Sequence, residues 1–158
     1  MKVEFWVIGK TSFNYLIDGT AIYEKRLKRY LPFQYEIIPD IKQGGKLKPI
    51  QLVEKEGQSV LKRIKSDDLL ILLDEKGKSY TSVEYATFVE KQLIQSHKRL
   101  IFLVGGAFGF SKPIYSRANQ MISLSKMTFS HQMIRLFFLE QLYRAMTILK
   151  NEPYHNEG

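Results

Sequence analysis

A chain of 158 residues, 44% hydrophobic and 13% aromatic, has enough apolar material for one domain core without staples. It contains no cysteine, which excludes thiol catalysis, thiolate zinc sites and disulfide scaffolds together. The net charge of +8 is uneven: residues 1–65 hold 13 lysines and arginines against 7 acids, residues 66–123 hold 7 against 6, and residues 124–158 hold 4 against 3.

Residues 3–8 are rich in aromatic and β-branched side chains and end at Gly9, which predicts a strand. The segment lacks the basic, apolar and small-residue succession of a secretory signal, and no apolar run approaches the roughly 20 residues of a membrane span. A soluble, cytoplasmic protein is expected. From Ser12, Leu16, Tyr23, Leu27 and Tyr30 follow helical spacing until Pro32, although Gly19 costs about 1 kcal/mol relative to alanine. Between them stand Lys25, Arg26, Lys28 and Arg29, the densest basic cluster of the chain. Such a field fits a polyanionic partner, and equally a surface that is only basic and soluble.

Residues 33–38 predict a second strand, closed by Pro39. Residues 41–48 are polar and contain Gly44 and Gly45, a loop or an arm that folds onto nucleic acid. A helix follows from Pro49 to about Lys65. Residues 68–73 form a nearly continuous apolar run bounded by acids, as a parallel strand covered on both faces requires, with residues 74–78 as its exit turn. Residues 80–97 read as a helix, 100–104 as a buried strand, and a short helix after Pro113 leads to a strand at 121–124. The alternation predicts an α/β fold: a mostly parallel five-stranded sheet with helices on both faces, in one domain spanning 1–158. Ligands on such sheets sit beyond the carboxyl ends of strands, here the turns after Leu73, Val104 and Leu124.

Within those turns, Gly105, Gly106 and Gly109 let backbone approach a ligand, but they match neither the dinucleotide fingerprint nor a P-loop, so a tight turn explains them as well. No histidine pair has metal-ligand spacing, and no nucleophile-elbow motif supports hydrolysis. Ser125, Lys126, Thr128, Ser130 and His131 crowd the entry to a last helix from Met133 that is apolar on nearly every side. Arg135 falls on its apolar face, either laying its stem along the core with its head in water or meeting a second subunit or an anionic group; on a helix suited to dimerisation, the second subunit is expected.

The quoted residues together resemble the RlmH family of SPOUT methyltransferases, over the whole chain. The resemblance lies in Val7, Ile8, Gly9 and Lys10; in YEKRL at 23–27; in KEGQ at 55–58; in LDEKGK at 73–78; and in the glycine turn. Most specific is SLSKMTF followed by HQM, a glutamate-bearing helix, YRA and a PYH tail. Members of that family methylate N3 of a pseudouridine in large-subunit ribosomal RNA. The resemblance implies a C-terminal trefoil knot, a homodimer through the C-terminal helix region, and S-adenosylmethionine as cofactor, without a metal. It assigns cofactor contacts to Leu73, Gly105, Leu124, Ser125, Lys126, Met127, Thr128 and Phe129. Tyr154 and His155 would reach the partner's cofactor site, with His155 as general base, Tyr154 positioning, and Arg144 holding a phosphate or the base. The chain departs from the family at Ser130, where many members have proline, and in its Asn156, Glu157, Gly158 ending. An RNA-binding dimer without catalysis, or a SPOUT enzyme acting on transfer RNA, are the rival readings.

Overall fold

A computed structural model of the chain describes residues 1–42 and 44–156; the expectations that touch Gln43, Glu157 and Gly158 lie outside the described residues. In chain order the elements are β1 (Lys2–Ile8), α1 (Asn14–Leu27), β2 (Phe33–Ile38), a 3-10 turn at Gly44–Lys46, α2 (Pro49–Leu61), β3 (Leu69–Ser79), α3 (Ser82–Leu93), β4 (Arg99–Val104), α4 (Lys112–Arg117), β5 (Gln120–Ser123) and α5 (Met133–Leu149). The strands lie in the order β2-β1-β4-β3-β5, and every pairing is parallel.

Alternation along the strands fills two cores. Val3, Phe5, Val7, Ile71 and Phe102 face one layer, which α1, α3 and α5 cover with Leu27, Phe88, Val89, Phe138 and Leu142. Trp6, Ile8, Leu70, Leu72, Ile101 and Leu103 face the other, beneath Val60 of α2 and Ile114 of α4. Both faces being buried is why β3 and β4 read as unbroken apolar runs. Helix starts follow local chemistry: Pro49 opens α2, and at α3 Thr81 Oγ1 accepts from the Glu84 N–H at 3.2 Å while Glu84 Oε2 accepts from the Thr81 N–H at 2.8 Å.

Two expectations are corrected. Residues 74–78 are not simply an exit turn: after a register shift, Lys78 and Ser79 pair again with Ile122 and Ser123 of β5. The approach is so close that a Cβ on Gly77 would lie 2.6 Å from the backbone of Ile122. Arg135 is 1% exposed and belongs to its own chain's core. Its Nη1 donates to Gly9 O at 2.8 Å, its Nη2 to Ile8 O at 2.8 Å and its Nε to His131 O at 3.2 Å. The arginine saturates the carbonyls that β1 leaves at its end and locks the start of α5 to them, and burial lowers its pKa from the ordinary value.

Candidate functional site

The carboxyl ends of β3, β4 and β5 converge on a cavity of about 460 Å³. Leu73 and Asp74 form one wall, the Val104–Phe110 turn a second, and Leu124, Ser125, Met127, Thr128 and Phe129 a third, closed by His131 and Ile134 at the start of α5. Seven of the eight residues assigned to the cofactor therefore come together; Lys126 is exposed and stands outside the lining.

Polar side chains around this pocket hold its loops to one another. Thr128 Oγ1 donates to Glu75 Oε2 at 3.1 Å, joining the β5 loop to the β3 loop. Ser123 Oγ donates to Ser125 O at 2.8 Å, and Ser125 Oγ accepts from the Met127 N–H at 3.0 Å. Ser130 Oγ accepts from the Met133 N–H at 3.0 Å, so the residue that departs from the family pattern ties the loop into α5. Gly105 is buried, and a Cβ there would lie 3.0 Å from Gly109 O and 3.3 Å from the Phe110 ring, so any side chain would have to push these neighbours back.

Tyr115 on α4 also lines the cavity and donates to Asp74 Oδ2 at 2.5 Å. Burial first, and then the Asp74 acceptor, push its pKa up to about 12, so the phenol keeps its proton. Sequence reasoning gave no role to Tyr115, Asp74 or Phe108; Asp74 and Phe108 stand in the 73–78 segment and the glycine turn, while no motif marks Tyr115. Behind the glycine turn lies Glu56 of α2, 8% exposed, with Oε2 only 2.9 Å from where a Gly106 Cβ would be.

Arg144, Tyr154 and His155 do not line this cavity. They form a second cluster on the outer side of α5. Arg144 Nη2 pairs with Glu140 Oε1 at 2.7 Å, Tyr154 OH donates to the same oxygen at 2.9 Å, and Arg144 Nη1 lies 3.2 Å from His155 Nδ1. A guanidinium only donates, so Nδ1 is the acceptor and a neutral imidazole carries its proton on Nε2. The Arg144 guanidinium also sits over the Tyr154 ring, 4.8 Å from its centroid. Burial, with hydrogen bonds to Tyr23 and Glu140, raises the Tyr154 pKa above its ordinary value. That phenol is a hydrogen-bond donor at neutral pH, not a base.

Among the described residues no group of three histidines or acids could hold a metal ion, and no helix is long and apolar enough to cross a membrane.

Residues 1–155 match the family described as predicted SPOUT methyltransferase. A protein of Parabacteroides distasonis named ribosomal RNA large subunit methyltransferase H is 54% identical over 157 residues, covering 99% of this chain and 100% of its own length. A protein of the same name from Cytophaga hutchinsonii is 52% identical over 156 residues, covering 99% and 100%. The crystal structure of a probable methyltransferase from Bordetella pertussis Tohama I shares the fold, with a TM-score of 0.55 at 10% identity over 92% of this chain and 94% of that one.

Proposed function

The chain belongs to the SPOUT methyltransferase family, and we propose that it methylates N3 of a pseudouridine in large-subunit ribosomal RNA, with S-adenosylmethionine held in the strand-end cavity. The observation that carries the reading is the convergence of the three strand-end loops on a cavity of about 460 Å³, the size class of small-ligand sites. Its chemistry fits a nucleoside cofactor: the tight turn at Gly105 lines the cavity, and Leu73, Leu124, Met127 and Phe129 supply apolar walls. S-adenosylmethionine would supply an electrophilic methyl group. The names of the relatives support ribosomal RNA as substrate, and that substrate implies a cytoplasmic site of action.

The reading treats residues 1–158 as one SPOUT domain closed by a C-terminal knot, as membership of the family implies. It also takes the working unit to be a homodimer, in which the tail of one protomer meets the cavity of its partner. The separation of Arg144, Tyr154 and His155 from the cavity of their own chain supports this arrangement. So does the rim of that cavity, where Met127 is 77% and Phe108 57% exposed.

Each side chain then has a task. N3 carries a proton that must leave as the methyl arrives. His155 takes it at Nδ1 once Arg144 turns from the imidazole to an RNA phosphate or the target base. Tyr154, fixed as a donor, orients the base, and Glu140 keeps both Arg144 and Tyr154 in place until substrate arrives. Alignment of N3 with the methyl carbon is the main contribution of the pocket.

Incubating the purified protein with S-adenosylmethionine and ribosomes from a strain lacking the enzyme, then mapping the methyl group by mass spectrometry, tests the reading. Methylpseudouridine in the large-subunit RNA is the expected product. Methylation of transfer RNA alone would reassign the substrate, and no calorimetric binding of S-adenosylmethionine at millimolar concentration would leave an RNA-binding protein without catalysis.

A further inference from the structure

The segment at residues 23–27, singled out in the sequence, has no task in the cavity or in proton transfer. Within it, Arg26 is set apart from the other basic residues around the end of α1. Its guanidinium carbon lies 5.3 Å from the Tyr23 ring centroid and 5.4 Å from that of Tyr143. Tyr143 packs edge-on against Tyr154 at 4.7 Å, and the Tyr23 and Tyr154 hydroxyls are 3.3 Å apart. Arg26 is thus held on an aromatic shelf one ring away from Tyr154 and Arg144.

A guanidinium laid on aromatic faces keeps its N–H donors in plane and directed outward, and loses little further freedom when it binds. Among the described residues no hydrogen bond or ion pair occupies those donors. Lys28, two positions on, is paired with Glu24 at 3.3 Å, and Lys25 is exposed without any ring beneath it. Planar, fixed and open donors beside a nucleotide-handling cluster match the oxygens of a phosphodiester.

We propose that Arg26 is an RNA-phosphate clamp: seated on Tyr23 and Tyr143, it grips a backbone phosphate next to the target nucleotide and sets that nucleotide before Arg144, Tyr154 and His155. The proposal rests on the reading of the protein as an RNA methyltransferase, but binding alone can test it.

Equilibrium binding of large-subunit ribosomal RNA would be measured across a salt series for the unaltered protein, Arg26→Ala, Arg26→Lys and Lys25→Ala, with S-adenosylmethionine affinity and thermal unfolding as controls. Arg26→Ala is expected to weaken RNA binding about tenfold and to reduce the slope of log affinity against log salt by about one. Arg26→Lys, which keeps the charge but loses the plane, should restore the slope and only part of the affinity. Lys25→Ala should change affinity less than Arg26→Ala. Unchanged affinity and slope in Arg26→Ala would overturn the clamp. Weaker binding with an unchanged slope would also overturn it, in favour of base stacking or a protein contact. A fall in unfolding temperature or cofactor affinity that accounts for the loss would make Arg26 merely structural. RNA bound by the unaltered protein but never methylated would defeat the enzymatic reading and leave the clamp measurable.

Discussion

The strand-end cavity and the C-terminal cluster are built from different parts of the chain. In the cavity, polar side chains tie the loops to one another, as Thr128 does with Glu75 and Tyr115 with Asp74, beside apolar walls from Leu73, Leu124, Met127 and Phe129. In the cluster Glu140, Arg144, Tyr154 and His155 interact with one another through their side chains, and in the proposed reaction those contacts are exchanged for substrate. A cofactor of constant shape is best met by fixed groups that need no rearrangement. A proton in transit and a polyanionic substrate need titratable and cationic groups that can change partners.

The largest test of that division removes the tail. A chain ended after Glu152 loses Tyr154 and His155 but keeps the sheet, the cavity and the Tyr30 bond to Glu152. Methyl transfer is expected to fall about 10²–10⁴-fold, the usual worth of a positioned acid or base. Calorimetric S-adenosylmethionine affinity should hold. Turnover within a few-fold of the full chain would erase the distinction between the two regions. Gly105→Leu is the converse: its side chain must displace Gly109 O or the Phe110 ring, and cofactor affinity should drop about 100-fold, equivalent to overpacking by 1–3 kcal/mol. RNA affinity should stay as it was. If RNA affinity fell in parallel, the two regions would be one unit.

The same division explains what could be read from the sequence. Strand patterning identified the two-sided sheet, and the rule that ligands sit at carboxyl ends of strands led to the turns after Leu73, Val104 and Leu124, whereas the individual cofactor contacts came from the family resemblance. Both work because backbone-built features leave a local imprint. The re-pairing of Lys78 and Ser79 with β5 left none, since a run of Asp, Glu, Lys, Gly and Lys reads as a turn until its partner strand is known. Helical spacing put Arg135 on the apolar face, and that is where it lies. The second subunit expected there is replaced by carbonyls of Ile8 and Gly9, more than a hundred residues earlier and invisible to any periodic pattern. For Tyr154, His155 and Arg144 the roles came from family resemblance alone, because side-chain clusters drawn from distant elements have no local signature.

The smallest predicted effect concerns two carboxylates, one in each region. Glu140 is ringed by donors from Arg144, Tyr154 and Gln141. Glu56, against the back of the glycine turn, has no hydrogen bond or ion pair among the described residues, and Asp40 faces it with the same charge. Burial, and after it Asp40, raise the Glu56 pKa. The folded chain therefore holds that proton more tightly than the unfolded one, and its contribution to stability is complete below the unfolded pKa and is lost as pH rises through the folded pKa. Glu56→Gln, which keeps the shape without the charge, should raise the unfolding temperature by a few degrees at pH 8 and by less at pH 4. Since Glu56 stands behind the lining, S-adenosylmethionine affinity should change little. A loss of stability at pH 8 would mean that a donor or cation reaches Glu56 in the working assembly. The wall of the cavity would then depend on a paired charge, as the C-terminal cluster does, and the contrast between fixed loops and exchangeable side chains would fail at that wall.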